Sequence, residues 1–151
     1  MLTDYQIMLR LTLSVILGGL IGLERQLHRS HAGLRTHILV SLGSCLIMLT
    51  SLYVFDIYIG KASVDPSRIA AGIVTGIGFL GAGTIMQDKQ GVRGLTTAAS
   101  LWVVAGIGLA TGVGFYTASM FTTILALVVL FFLRYLENLM IKGPKGGQDG
   151  V

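Results

Sequence analysis

The longest uncharged stretch of the sequence runs from Leu95 to Leu133, and it limits what the chain can fold into. As a single α-helix this stretch would be about 58 Å long, roughly twice the hydrocarbon thickness of a bilayer. The stretch must therefore fold back on itself. The glycine-containing segment 111–114 favours a turn, which predicts two helices, at about residues 95–111 and 115–136.

Three further apolar segments precede this stretch, and each is close to the length of a membrane span. They cover about residues 5–23, 38–55 and 68–87, and a spanning helix needs roughly 20 apolar residues. Asp65 and Pro66 before the third segment predict an N-cap followed by proline at the first helical position. Hydrophobic residues make up 53% of the chain and charged residues 12%, which is too little charge to cover a water-facing surface. The sequence therefore predicts an all-α polytopic membrane protein with about five transmembrane helices, not a soluble enzyme.

The distribution of lysine and arginine predicts how these helices are oriented. In a five-helix topology, eight of these residues lie on the side of the first loop, the third loop and the C-terminus, and two lie on the other side. Because short cytoplasmic loops are enriched in Lys and Arg, we expect the N-terminus outside and the C-terminus in the cytoplasm. The loops account for the net charge of +4, so we expect no nucleic-acid partner.

The domain organisation follows from the same pattern. We interpret residues 1–140 as one transmembrane domain in the lipid bilayer. Residues 141–151 are polar and rich in glycine, a composition typical of disorder, and we expect them to form a cytoplasmic tail. We expect no second soluble domain.

Glycine is unusually frequent in the apolar segments. Three pairs are four residues apart: Gly18 and Gly22, Gly72 and Gly76, and Gly108 and Gly112. This spacing places both glycines of a pair on one helix face and predicts close helix packing, within one chain or between chains. The third segment also holds Gly78, Gly81 and Gly83, so this helix is either continuous and tightly packed or broken at membrane depth, where a break can build a binding site.

Arg10 is the only charged residue inside the first apolar segment. A charged side chain within a membrane span is a candidate for function or for a structural ion pair. Asp65 is a plausible partner because the topology places it on the same side, and Asp4 is a weaker one. The alternative is that the Arg10 side chain extends to the outer interface without a specific partner.

Charged and hydroxyl side chains also flank the apolar segments on the predicted cytoplasmic side. They are Glu24, Arg25, Arg35, Thr36, His37, Asp88, Arg93, Thr96 and Thr97. They could converge into one cluster held by arginine–carboxylate pairs, or they could be ordinary solvated loops. We find no residue set suited to catalysis, to a cofactor or to a metal ion, and we interpret Cys45 and Trp102 as packing residues.

Four motifs carry a resemblance to a known family. They are GGLIGLER at 18–25, AGLRTH at 32–37, GIGFLGAG at 76–83 and GLTTAASLW at 94–102. In this order the motifs resemble the membrane domain of the MgtC/SapB family of bacterial inner-membrane proteins, and the resemblance covers roughly residues 5–135.

The resemblance implies a five-helix membrane domain and points to particular residues. Those carried over from the motifs are Glu24, Arg25, Gly33, Arg35, Thr36, Asp65, Arg68, Gly81, Gly83, Gly94, Thr97 and Trp102. Two departures from the family are expected: many members carry a cytoplasmic C-terminal domain, which we do not expect in this chain, and Thr96 replaces an asparagine found in virulence-type members.

Two functions remain open at this stage. The resemblance implies a role in magnesium or ion homeostasis, or regulation of another membrane complex through a membrane-protein partner. The alternative is a cation transporter or channel, which with five helices per chain would need a homo-oligomer. The interiors of the apolar segments hold no Asp or Glu, which argues against a carboxylate-lined path, although backbone carbonyls could still coordinate an ion.

Overall fold

A computed structural model describes residues 2–61, 63–89 and 91–141 of the chain. Within these residues the order of elements is five helices with one short hairpin before the fourth. The helices are α1 (Asp4–Leu27), α2 (Leu34–Tyr58), α3 (Pro66–Gly83), α4 (Leu95–Val113) and α5 (Tyr116–Ile141), and the hairpin strands are β1 (Met86–Asp88) and β2 (Gly91–Arg93). The prediction of an all-α polytopic membrane protein is confirmed.

Four of these helices are long and apolar enough to cross a membrane: α1, α2, α4 and α5 up to Leu136. α3 is the shortest helix, with 18 residues, and would be about 27 Å long. It is not among these four candidate spans. The prediction that α3 is a fifth span therefore stays a prediction.

The turn between α4 and α5 lies where the glycines predict it. α4 ends at Val113, and Gly114 follows in the left-handed region with φ 92°, which glycine adopts without strain. At the other end of α4, Gly94 also has a positive φ of 89°. A Cβ atom at Gly94 would collide with the carbonyl oxygen of Thr84, so this position requires glycine.

Several helix boundaries differ from the prediction: α1 ends at Leu27 and not at residue 23, and α5 ends at Ile141 and not at residue 136. α2 begins at Leu34 and not at residue 38, because charged residues end an apolar run without ending a helix. α3 ends at Gly83 and not at residue 87, and the residues after it pair in the hairpin, with Met86 opposite Arg93. α3 is one continuous helix, so the alternative of a break at its glycines is not observed.

The core lies where α2 packs between α1 and α4. Two of the three predicted glycine pairs make these contacts: a Cβ at Gly18 would lie 2.6 Å from the Cβ of Ser41, and a Cβ at Gly112 would lie 2.8 Å from the carbonyl oxygen of Cys45. Gly72 and Gly76 have open space around them. The prediction of close packing is therefore confirmed for α1 and α4 and is wrong, within this chain, for the pair on α3.

Apolar side chains fill the space on both sides of this crossing. Met48, Ile73 and Leu101 pack together where α2, α3 and α4 meet. Leu17 and Ile107 pack together between α1 and α4, and α5 covers them from outside. Cys45 is fully buried, as predicted. Of the predicted disordered tail, residues 141–151, Ile141 is the last residue of α5, and residues 142–151 lie outside the described residues.

Asp65 caps the N-terminus of α3, and Pro66 occupies the first helical position, as the sequence predicts. The Asp65 carboxylate accepts a hydrogen bond from the backbone amide of Ser67 at 2.8 Å. Hydrogen bonds from the side chain and the backbone of Ser67 lower the pKa of Asp65. The contribution of this carboxylate to stability is therefore complete above its ordinary pKa and is lost as the pH falls through the lowered value.

We expect Asp65→Ala to loosen the first turn of α3, because the amide of Ser67 loses its acceptor. Amide hydrogen exchange at the start of α3 should become faster in Asp65→Ala and should stay near wild type in Asp65→Asn, which keeps a capping oxygen. The wild-type protein should show the same loosening only at acidic pH. Equal exchange in the wild type and in Asp65→Ala would show that the cap contributes nothing.

Candidate functional site

Arg10 lies inside the bundle, with a side chain that is 8% exposed. Its Nη1 donates to the carbonyl oxygen of Gly112 at 2.7 Å, and its Nε donates to the Tyr116 hydroxyl at 3.2 Å. Gly112 belongs to the last turn of α4, whose carbonyl groups have no partner within the helix. Arg10 therefore ties α1 to the turn between α4 and α5.

This arrangement replaces two predictions about Arg10. Asp65 caps α3 through Ser67, and the hydrogen bonds of the Arg10 guanidinium go to Gly112 and Tyr116, so the predicted pairing with Asp65 or Asp4 is wrong. The alternative of a side chain without a specific partner is also wrong, because Arg10 donates to Gly112 and Tyr116. A carbonyl oxygen at a helix end is invisible in a pattern of charged residues, which explains the error.

We expect Arg10→Leu to destabilise the protein by about 1–3 kcal/mol, because the Gly112 carbonyl loses its charged donor in a buried position. Tyr116→Phe removes only the weaker contact and should cost less. Thermal unfolding in mild detergent measures both changes. An unchanged unfolding temperature for Arg10→Leu would mean that the two hydrogen bonds do not hold the turn.

The opposite end of the bundle holds a second buried charged group. The Glu24 and Arg25 side chains are 8% and 5% exposed, and Arg25 Nη1 lies 3.8 Å from Glu24 Oε2. Arg134 Nη1 lies 3.7 Å from Glu24 Oε1, and His28 Nδ1 lies 3.0 Å from the same oxygen. We call Glu24, Arg25, His28 and Arg134 the charge cluster.

The charge cluster joins α1 to α5 by electrostatic attraction more than by hydrogen bonds. Both carboxylate oxygens of Glu24 are buried without a hydrogen-bond partner in the structure, and the same holds for Arg25 Nε and Arg134 Nη1. Two arginines and one histidine surround one carboxylate, so the cluster carries excess positive charge. It lies about 21 Å from Arg10 along α1.

Several predicted cluster residues lie elsewhere. Arg35 and Thr36 are exposed on the first turn of α2, Arg93 and Thr96 are exposed, and Thr97 is buried on α4. The backbone of Asp88 lies in β1, and its side chain is outside the described part of the structure. Of the residues considered for one cluster, Glu24 and Arg25 lie together. The sequence patterns did not indicate Arg134, which lies 110 residues from Glu24 in the chain.

His37 forms a polar contact that links α2 to α4. It is fully buried, its Nδ1 lies 2.9 Å from the carbonyl oxygen of Gly33, and its Nε2 lies 3.0 Å from Ser100 Oγ. Because a carbonyl oxygen only accepts, Nδ1 carries a proton. The Ser100 hydroxyl also donates to the carbonyl oxygen of Thr97 at 2.8 Å. His37, Ser41 and Cys45 are four residues apart, a spacing that could have revealed this buried stripe.

The remaining candidates differ in their surroundings. Gly81 is buried, and a Cβ atom added there would lie 3.6 Å from the Cβ of Ala98, an ordinary contact distance, whereas a Cβ at Gly78 or Gly83 would meet nothing within 4 Å. Trp102 is 55% exposed on α4 and so is not part of the core of this chain, and its interpretation as a packing residue stays a prediction. Arg68 is exposed near the start of α3.

These features define a small polytopic α-helical membrane protein with buried cationic side chains at both ends of its bundle. Among the described residues, no three or more His, Cys, Asp or Glu side chains lie close enough together to hold a metal ion. Matches with known proteins then place the chain in a family.

The chain belongs to the MgtC family, whose sequence profile matches residues 11–139. It is 46% identical over 127 residues to YhiD of Escherichia coli K12, which is 83% of this chain and 59% of that protein. It is 46% identical over 127 residues to MgtC of Salmonella typhimurium LT2, which is 83% of this chain and 52% of that protein.

A third relative is SapB of Bacillus subtilis 168, which is 39% identical over 136 residues, or 87% of this chain and 58% of that protein. The chain thus spans between half and three fifths of the length of the curated relatives it matches. No solved structure matches it significantly. The predicted resemblance to the MgtC/SapB family is confirmed, and the protein is a bacterial membrane protein.

Proposed function

We propose that the chain is a non-enzymatic regulator in magnesium or ion homeostasis, which acts by binding another membrane complex in the bacterial inner membrane. The observation that carries the proposal is the placement of buried cationic groups at both ends of the bundle. Arg10 lies at one end, and Arg25 and Arg134 lie at the other. Each of these arginines repels a metal cation.

Electrostatics argue against a Mg²⁺ path through a single bundle. A divalent ion about 4 Å from one arginine is repelled by about 8 kcal/mol at an effective dielectric constant of about 20. Glu24 is the carboxylate in the charge cluster, and its charge is already compensated by Arg25 and Arg134. An ion would therefore have to displace two arginines to reach it.

The proposed orientation places the charge cluster on the cytoplasmic side, with the N-terminus outside. The basis is the excess of Lys and Arg in the first and third loops. In this orientation the exposed basic residues near the cluster, such as Arg29 and Arg35, face the cytoplasm. The cytoplasmic part of a membrane-protein partner can contact them there. The partner's recognition surface would be acidic.

A second candidate function is an oligomeric cation transporter. It is favoured by the name of one relative, YhiD, which provisionally describes that protein as a magnesium transporter. Since the interior of one bundle is flanked by cations, a transport path would have to lie between copies of the chain. Such a path would require a homo-oligomer.

A cell experiment separates the two functions. A strain that lacks the gene is grown at limiting Mg²⁺, with and without the restored chain, and the initial rate of Mg²⁺ uptake is measured in the same cultures. We expect the restored chain to restore growth. We expect the initial rate of Mg²⁺ uptake not to rise with the amount of the protein. Uptake proportional to the protein would favour the transporter, and failure to restore growth would reject a role in magnesium homeostasis.

A further inference from the structure

A groove separates α2 from α3 on the outer surface of the bundle. Its volume is about 650 Å³, and most of its lining is apolar, including Leu39, Ile47 and Ile73. Because these residues belong to predicted membrane-spanning segments, the groove opens toward the hydrocarbon of the bilayer. An apolar molecule or another helix must fill it there, since a void forgoes packing contacts.

Glycines give the groove its depth. Gly43 on α2 and Gly72 and Gly76 on α3 line it, and a Cβ atom at any of the three would meet nothing within 4 Å. These glycines therefore make no close helix contacts within the chain, unlike those of α1 and α4. Larger side chains at these positions would fill the groove without disturbing the packing of the bundle.

One end of the groove is polar and positively charged. Arg35 and Thr36, both exposed, line this end, which is the end of the bundle that holds the charge cluster. Along α2 the groove runs from Arg35 to Ile47, about 18 Å at about 1.5 Å per residue. One leaflet of the hydrocarbon core is about 15 Å thick, so the groove reaches from the headgroup level to the midplane.

We propose that this groove binds one anionic phospholipid, with its phosphate at Arg35 and Thr36 and an acyl chain over the glycines. An arginine guanidinium and a hydroxyl donate hydrogen bonds to phosphate oxygens, and basic pockets between helices on the cytoplasmic side suit anionic headgroups. The groove matches an acyl chain in length, in apolar character and in its restriction to one leaflet.

A second copy of the chain fits this groove less well. A symmetric pair in a membrane has its two-fold axis along the membrane normal, so equivalent residues lie at the same depth. Pairing through the groove would bring Arg35 of one copy near Arg35 of the other, and like charges at low dielectric repel. A lipid phosphate instead supplies the opposite charge.

Native mass spectrometry of the purified protein in detergent tests this proposal. Phosphatidylglycerol and phosphatidylcholine with identical acyl chains are titrated separately into the wild type and into three variants. Arg35→Gln removes the charge at the headgroup end, and Gly76→Leu fills the groove. Arg68→Gln is the matched control, because it removes an exposed arginine at the opposite end of the bundle.

We expect the wild type to prefer phosphatidylglycerol by about fivefold, since one arginine near the surface contributes about 1 kcal/mol toward an anionic lipid. Arg35→Gln should abolish the preference, and Gly76→Leu should weaken the binding of both lipids. Arg68→Gln should bind both lipids as the wild type does. Equal binding of both lipids by the wild type, or an unchanged preference in Arg35→Gln, would overturn the proposal. A wild-type dimer that Gly76→Leu dissociates would instead make the groove an interface between copies.

Discussion

Replacement of Gly108 by valine is expected to cost about 3 kcal/mol of stability or to prevent folding. A Cβ atom at Gly108 would collide with the carbonyl oxygen of Ser41 and would lie 2.9 Å from its carbonyl carbon. Both are backbone atoms of α2, which cannot move aside as a flexible side chain can. Overfilling a well-packed contact costs about 1–3 kcal/mol, and more when backbones must separate.

Gly106→Val is the matched control for this prediction. Gly106 lies on the same helix, two residues earlier, and has open space around its Cβ position. The two variants share the same change in helix propensity, so the difference between them isolates the contact with α2. Unfolding by a graded addition of sodium dodecyl sulfate in mild detergent measures both. Equal stability of Gly106→Val and Gly108→Val would contradict the close crossing of α2 and α4.

Glu24→Gln is expected to be the most disruptive change of a charged side chain. It leaves Arg25, which is 5% exposed, without a neighbouring anion and removes the charge that holds Arg134 to α1. Breaking a buried ion pair by removing one partner costs about 3–5 kcal/mol. We expect the lower end of this range, because Arg134 is 31% exposed and water screens its contribution.

The double variant Glu24→Gln, Arg25→Met tests the origin of this cost. If the cost arises from an uncompensated charge, the second substitution should restore part of the lost stability. Asp4→Asn, which removes an exposed carboxylate from the same helix, should change little. Thermal unfolding of five proteins provides the comparison: the wild type, the single variants Glu24→Gln, Arg25→Met and Asp4→Asn, and the double variant. A double variant whose loss equals or exceeds the sum of the two single losses would show that Glu24 and Arg25 do not act as a pair.

The helices could be predicted from the sequence because each is a local apolar run with a local end. The Gly112–Gly114 turn and the Asp65 cap need only residues a few positions apart, and both lie where they were expected. The predictions of helix ends were less accurate where the ends lie in polar sequence. α2 continues through Arg35 and Thr36, because the edge of an apolar run marks the bilayer and not the helix.

The candidate site was harder to predict because its contacts join residues far apart in the chain. Arg10 contacts a backbone carbonyl of α4, and no side-chain pattern encodes that acceptor. Arg134 reaches Glu24 only because α5 returns along α1. The glycine pairs of α1, α3 and α4 have identical spacing, yet the pair on α3 faces open space, and only the packing of the neighbouring helices distinguishes them.

The central claim is that buried cationic side chains at both ends of the bundle make the chain a regulator and not a Mg²⁺ pathway. The most direct test is ion flux into liposomes that contain the purified protein, with Mg²⁺ compared with K⁺ and H⁺ and with insertion checked by protease protection. We expect Mg²⁺ flux no greater than in protein-free liposomes. Protein-dependent Mg²⁺ flux that Glu24→Gln or Arg10→Leu alters would contradict the claim and would place the path through these ends.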